Sequence, residues 1–395
     1  MPYLAAPQWP PAHTLKKRGN LHSYPLGGLD GYHVSVTWIV AEFREPASLA
    51  WRRRERGGGV NAAPRPGLNA SRLVALMQAA IERCQLDLSG RTVLTEAASG
   101  AYAVTPVLAA LAGASVYAIA RTTSYSTEEQ TTAGTAELAR LARVADRVQL
   151  VQDKSQDVVA AADIVTNSGQ VRPIDADTVA GLKPSAVIPL MYESWEYRRS
   201  DIDLDACRDH GIPVAGTNET HPAVDVFSFL GPMAVKQLHD AGIAVYGSRV
   251  VLLCDNPFGP FIANYLRRGG AEVVTTRLLT QTALGKRCDA VILALRPGAD
   301  AVLTDAGARL LAQAAPAAVL LQFWGDADRE ALAAARVPVW PPDAPRPGHM
   351  GVLLSDIGPE PVVRLQAGGL KVGELLARGL DQAAPDELAL VQLLC

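Results

Sequence analysis

SAVIPLMYESWEYRRSDIDLDACRDHGIPVAGTNETHPAVDVFSFLGPMAVKQL, residues 185–238, is the stretch whose reading decides the fold. An apolar run at 186–191 enters a polar loop and a short Asp-rich helix. A second apolar run at 212–216 leads to another polar loop and a long apolar helix at 223–238. Strands alternating with helices at this spacing imply a parallel sheet, because parallel neighbours need a long crossover between them. Ligands of such sheets bind outside the carboxyl ends of the strands, where loops and helix N-termini converge with unpaired N–H groups. The loops 192–197 and 217–222 are therefore expected to form one wall of a cleft. A fresh strand follows at 249–254, so the helix 223–238 is expected to bridge two α/β lobes.

Working outward, the segment resembles the D-2-hydroxyacid dehydrogenase family where its substrate lobe hands over to its dinucleotide lobe. Asp203-Leu204-Asp205-Ala206-Cys207, then Gly211-Ile212-Pro213-Val214, carry the likeness. The run from Ala223 then leads into Val250-Val251-Leu252-Leu253 as in that family. The resemblance covers about half of the chain. It implies an α/β protein of two doubly wound, Rossmann-like parallel-sheet lobes with a cleft between them. The expected division is an N-terminal extension at 1–68, a first lobe at 69–238, a second, dinucleotide-type lobe at 239–360, and a C-terminal helix within 361–395 that returns to the first lobe.

A length of 395 residues is too much for one core and favours two or three domains. The net charge of −3 offers no basic surface for nucleic acid. No run reaches the roughly 18 uninterrupted apolar residues of a membrane helix. The N-terminus carries its charges after its apolar part, opposite to a signal peptide, so a cytoplasmic protein is expected. Cys84, Cys207, Cys254, Cys288 and Cys395 are far apart and form no zinc pattern, so no metal is expected. Within the extension, 33–43 reads as a strand, and WRRRERGGG at 51–59 reads as a solvated loop or an anion-binding lid.

The first lobe opens as strand, tight loop, helix and strand over 91–121. Its loop Ala98-Ser99-Gly100-Ala101-Tyr102-Ala103 matches a dinucleotide fingerprint with Ala in place of the first and last Gly, and Gly100 keeps the position where backbone approaches phosphate. Arg121 stands where a ribose-binding acid is expected for NAD, which suits a 2′-phosphate and NADP. The same stretch, with Val144-Ala145-Asp146-Arg147-Val148, also looks like the first motif of S-adenosylmethionine-dependent methyltransferases, which is the rival reading.

In the second lobe the resemblance lays the family's three glycines on Cys254, Asn256 and Gly259. Asp255 lies between the first two, and only the last glycine survives. Asn256 is expected to crowd a pyrophosphate unless its amide makes a new contact. The next strand ends in Arg277, again without an acid. The family's catalytic Arg is replaced by Trp324-Gly325-Asp326, and its catalytic His by Asp356. The resemblance places the substrate wall at 167–171 and 193–195, with Asn167, Gly169, Glu193 and Trp195, and Asn218 beside them.

His221 is the best-placed general acid or base, because an unperturbed imidazole titrates near neutrality and it precedes the bridging helix. Glu219 would orient it, Asp356 is the next candidate, and the alternative for His221 is a helix cap. Trp195 either stacks on a planar ligand or anchors its loop. Lys371 and Glu374 are expected near the interlobe seam. The expected function is an NAD- or NADP-dependent oxidoreductase acting on a small carboxylate or amino-acid-like metabolite, as a homodimer without nucleic acid or membrane partners. The alternatives are a methyltransferase-like enzyme using the first lobe and a catalytically silent nucleotide- or metabolite-binding protein.

Overall fold

The computed structural model describes residues 65–123, 126–298 and 301–395, all within one compact unit spanning 53–395. The strand expected at 33–43 and the loop at 51–59 lie outside the described residues. Helix α1 (Ala70–Cys84) opens the first lobe, with the Asn69 side chain accepting the Arg72 N–H at 2.9 Å. Its buried Leu73, Met77, Ala80 and Cys84 recur every three or four residues, which turns one face to the core.

The lobe continues through β1 (Thr92–Glu96), α2 (Val104–Leu111), β2 (Ser115–Ile119), α3 (Glu128–Leu141), β3 (Val148–Val151) and α4 (Gln156–Ala161). It closes through β4 (Ile164–Val165), α5 (Ala176–Gly181), β5 (Ile188–Pro189), α6 (Leu204–Asp209) and β6 (Val214–Thr217). The second lobe contains α7 (Leu230–Asp240), β7 (Arg249–Cys254), α8 (Phe258–Arg268), β8 (Glu272–Thr276) and α9 (Gln281–Leu284). After these come β9 (Ala290–Ala294), α10 (Asp305–Ala314), β10 (Val319–Trp324), α11 (Arg329–Ala334) and β11 (Val339–Trp340). Then α12 (Glu360–Arg378), α13 (Pro385–Leu388) and β12 (Val391–Leu393) lead back to the first lobe.

In the first lobe the hydrogen-bonded order is β3-β2-β1-β4 and β12-β6-β5, and a parallel bridge between Ile164 and Val187 joins the two runs. All pairs are parallel except β12 with β6. The second lobe is wholly parallel, in the order β11-β10-β9-β7-β8. Both orders are doubly wound, and they reverse at β1/β4 and at β7/β9, where a crevice opens at the strand ends. Apolar clusters cover both faces of each sheet, which explains strands that are buried along nearly their whole length.

The bridging helix is shorter than its apolar run implied. Residues 222–224 form a turn, Asp225 after it takes φ +49°, a 3-10 turn follows at Phe227–Phe229, and α7 begins only at Leu230. A short polar Asp tolerates that left-handed conformation but cannot continue a helix in it. Helix α7 then lies against α8, so close that a Cβ at Gly231 would collide with Tyr265. Helix α12 packs on the first lobe and presents Gly368 and Gly373 to Val224 and Ile164, where added Cβ atoms would stand 2.6 and 2.8 Å from the nearest side-chain carbons. Among the described residues no helix is long and apolar enough to cross a membrane.

Candidate functional site

Three glutamates meet where β5 and β6 end. Gly216, in β6, lacks a Cβ that would stand 2.7 Å from Ser194 Cα, so the loop after β5 can lie directly over β6. That close approach brings Glu193, Glu196 and Glu219 together. Glu193 is 3 % exposed, and its carboxylate accepts from the Glu219 N–H at 2.8 Å, Gln392 Nε2 at 2.6 Å and Trp195 Nε1 at 3.1 Å. The Glu193 N–H in turn faces the Glu219 carboxyl, so the two loops hold each other reciprocally.

Three donors fill the acceptor sites of Glu193 and fix its side chain between the two loops. Its neighbours are different. Burial, and then the charges of Glu196 and Glu193, push the Glu219 carboxyl well above the ordinary range. Burial and the Glu193 charge push Glu196 up to about 7, against the pull of Arg198. Asn167, just beyond β4, meets the chain two residues before Glu193. Its Oδ1 accepts the Met191 N–H at 2.8 Å, and its buried Nδ2 has no partner.

Trp195 carries the first lobe into the second. Its ring lies 5.8 Å from Phe258 and 5.6 Å from Trp324, and the Arg296 guanidinium sits 5.2 Å over its face. Of the two roles open to Trp195, the structure shows anchoring, across the seam rather than into its own lobe.

Several expected site residues are drawn elsewhere. His221 donates its Nε2–H to the Asp386 carbonyl at 3.0 Å, and its Nδ1 accepts the Ala223 N–H at 3.2 Å. Both ring nitrogens are thus engaged with backbone, which is the arrangement of the capping alternative. Glu219 does not orient His221, because its carboxyl faces Glu193. Asn218 donates to the Ala389 carbonyl at 2.8 Å, so it secures the chain before β12 instead of lining a substrate wall. Asp356 accepts the Leu353 N–H at 2.8 Å within its own turn. Lys371 and Glu374 are not at the seam. Lys371 Nζ lies 2.9 Å from the Gln85 carbonyl, 2.8 Å from Glu374 and 3.0 Å from Glu387.

The phosphate-loop candidate after β7 is occupied by the protein's own groups. After β7, Asn256 Nδ2 donates to the Ala294 carbonyl at 2.6 Å, and Asp255 accepts the Arg296 N–H at 2.9 Å, so both side chains stitch the β7/β9 crevice closed. Asn256 also takes the first N–H groups of α8, from Phe258 at 3.0 Å by Oδ1 and from Gly259 at 3.4 Å by its carbonyl. These are the donors a pyrophosphate would need. Gly259 has ordinary space, with Cys254 Sγ 3.4 Å from an added Cβ, and Cys254 is buried with its thiol pushed up by desolvation. Arg277 is exposed and makes no hydrogen bond or ion pair among the described residues.

In the first lobe Gly100 takes φ +63° with nothing within 4 Å of an added Cβ, as a phosphate loop requires. At the adjoining β1/β4 crevice, however, Glu96 takes the N–H of Gln170 at 2.9 Å and faces Gly169. Burial raises its pKa, with the Gln170 N–H, Arg172 and the Gly169 N–H opposing. Gly169 therefore cradles a protein carboxyl. Arg121 is bonded to the Gln152 carbonyl at 3.0 Å. As arranged, the loop after β7 does not fit a dinucleotide pyrophosphate, because Asn256 takes the first N–H groups of α8. No group of three or more His, Cys, Asp or Glu among the described residues is placed to hold a metal.

Gln392 and Arg296 are the participants that the sequence reading missed. Arg296 follows the apolar run of β9, so the strand-end rule points to it; Gln392 sits in a three-residue edge strand too short to show alternation.

No family model matches the chain, and no curated protein matches it in sequence. Similar solved structures include the A chain of dipicolinate synthase from Bacillus subtilis, at 11 % identity and TM-score 0.49, over 76 % of this chain and 100 % of that one. A D-isomer specific 2-hydroxyacid dehydrogenase from Lactobacillus delbrueckii ssp. bulgaricus, in its NAD complexed form, is similar at 13 % identity and TM-score 0.40, over 73 % of this chain and 97 % of that one. NAD-dependent formate dehydrogenase from Staphylococcus aureus, in complex with NAD, is similar at 10 % identity and TM-score 0.43, over 73 % and 95 %. The strand orders above define the fold.

Proposed function

We propose that the chain binds a small polar metabolite at the seam between its lobes and exchanges a proton with it through Glu219 and Glu196. The observation that supports this is the reciprocal pairing of Glu193 with Glu219, which keeps one carboxylate satisfied and leaves the others to hold protons. Glu219 is the donor at neutral pH. Glu196, near 7, is poised to take the proton or return it. Asn167 Nδ2 supplies an unused donor for an oxygen of the ligand. Trp195 and Trp324 exclude water from one side.

Calorimetric titration with small amino acids, 2-oxo acids and 2-hydroxy acids, in two buffers of different ionisation enthalpy, tests this reading. A ligand should bind with proton uptake or release, and Glu219→Gln should abolish that linkage while binding persists. Binding with no proton linkage in the unaltered chain would sink the proposal.

A second reading, an NAD- or NADP-dependent oxidoreductase on a small carboxylate or amino-acid-like metabolite, is favoured by the two doubly wound sheets, each with a switch point. It requires Asn256 to release Ala294 and the start of α8. Asn256→Gly should then raise NADH or NADPH affinity, and no dinucleotide binding in either form counts against it. Mass spectrometry of the denatured protein discriminates a carried dinucleotide from S-adenosylmethionine, which the Gly100 loop would serve.

A further inference from the structure

The last strand of the chain reaches the candidate site by one side chain. Gln392 donates Nε2 to Glu193 at 2.6 Å and accepts the Ser194 N–H on Oε1 at 2.8 Å, so both ends of its amide are fixed to the loop after β5. The strand is antiparallel to β6 with Val391 opposite Thr217, Gln392 opposite Gly216 and Leu393 opposite Ala215. Further anchors lie upstream, where the Ala389 and Leu390 carbonyls receive Asn218 and the Asp386 carbonyl meets His221. Residues drawn from a catalytic expectation thus fasten a strap, and the strap ends on Glu193.

We propose that Gln392 is a positioning residue: by docking on β6, the last strand holds Glu193 against Glu196 and Glu219 and so assembles the carboxyl group on which proton exchange depends. The inference rests on the reading of those three glutamates as one site. Charged neighbours from every packed element enter the balance: Glu193 and Arg198 on the same loop, Glu219 from the end of β6, and Arg296 from the end of β9 over Trp195. Gln392 is uncharged, so it acts through the geometry of Glu193 alone. When that carboxylate is released to turn outward, its repulsion of Glu196 weakens and the proton on Glu196 is held less tightly.

The Trp195 indole N–H on Glu193 supplies a reporter. The fluorescence of the full chain is titrated with pH and the signal of the Trp195→Phe variant is subtracted, since the chain contains six tryptophans. The unaltered chain should show a midpoint near 7. Glu193→Gln and Gln392→Leu should each lower it by about one pH unit, the scale of one removed like charge, whereas Leu393→Ala, on the same strand but exposed, should leave it in place. Gln392→Asn, which keeps the amide but is too short to reach, should act as Gln392→Leu does and serves if that variant does not fold. A midpoint that moves in Glu193→Gln but not in either Gln392 variant overturns the strap. An equal shift in Leu393→Ala overturns the role of Gln392. If Glu193→Gln itself moves nothing, the shared site falls and the strap with it.

Discussion

The first lobe holds two buried groups of glutamates, and they are solved in opposite ways. At one end Glu374 and Glu387 surround Lys371 and Arg378, with Lys371 Nζ 2.8 and 3.0 Å from the two carboxylates and Arg378 Nη2 2.7 Å from Glu387. Burial alone would raise Glu387, yet the Ala384 N–H, Lys371 and Arg378 together hold it down at about 2. At the seam, the pull of Arg198 on Glu196 is outweighed by burial and the Glu193 charge, and both Glu196 and Glu219 are raised. On the function proposed above, the difference separates carboxylates that build the fold from carboxyls free to exchange protons: strong charge compensation fixes the ionised state, and weaker compensation leaves a proton in play.

The sharpest way to break this contrast is to remove the compensation. Lys371→Met leaves Glu374, 8 % exposed, beside Glu387 with Arg378 alone, and should cost about 3 kcal/mol of stability, the scale for breaking a buried ion pair. Urea unfolding measures it. A loss below about 1 kcal/mol would mean that the cluster is solvated and structurally idle.

Next in size is the seam's own scaffold. Gly216→Ala drives a Cβ into the Ser194 backbone and should cost about 1–3 kcal/mol, the range for overpacking, while shifting the emission of Trp195 as its loop lifts. Unchanged emission with unchanged stability would show that the loop does not depend on that close approach.

The two groups also predict two limbs of a stability profile with opposite signs. Glu387 ionises at about 2 in the fold against an ordinary value of 4.5, so its contribution is complete above about 4.5 and fades as pH falls toward 2. Glu196 is protonated in the fold up to about 7 but ionises near 4.5 in the unfolded chain. Its contribution is complete below about 4.5 and is lost as pH rises to 7. Melting temperatures from pH 2 to 8 should therefore fall on both sides, and Glu196→Gln should flatten only the limb between 4.5 and 7. Flattening of the acid limb instead would reverse the assignment.

How far the sequence revealed this is visible in particular residues. The apolar runs at 249–254 and 289–295 gave their strands within a residue or so, because a fully buried parallel strand has few other ways to read. The run at 186–191 marked the right place but only Ile188 and Pro189 pair as a strand, since Pro189 has no N–H for a ladder. Glu193, Glu196 and Glu219 were legible as acids at strand ends. Their protonation was not, because it depends on a 2.8 Å contact between loops 26 residues apart. Asn256 was legible as a departure from glycine, but its bond to Ala294, 38 residues on, was not. The seven-stranded course of the first sheet escaped the reading because β12 is antiparallel, three residues long and distant in sequence from its partner β6.

The smallest effect concerns His221, where the sequence favoured catalysis and capping about evenly. Its ring joins two backbone groups, the Ala223 N–H and the Asp386 carbonyl, and neither bond points to the carboxyl group at the seam. His221→Ala removes both, at about 1 kcal/mol for neutral hydrogen bonds at a partly exposed position. Proton linkage of a bound ligand should be unchanged, since Glu219 and Glu196 stay in place. The Asp386 contact also helps seat the chain that leads to Gln392, so a small rise in pH sensitivity of the Trp195 signal is compatible with the strap, whereas full loss of linkage with stability intact would restore the imidazole as the proton carrier. Unfolding free energy and two-buffer calorimetry on the same preparation separate these outcomes, because a cap lost from a turn weakens the fold without touching protons exchanged elsewhere.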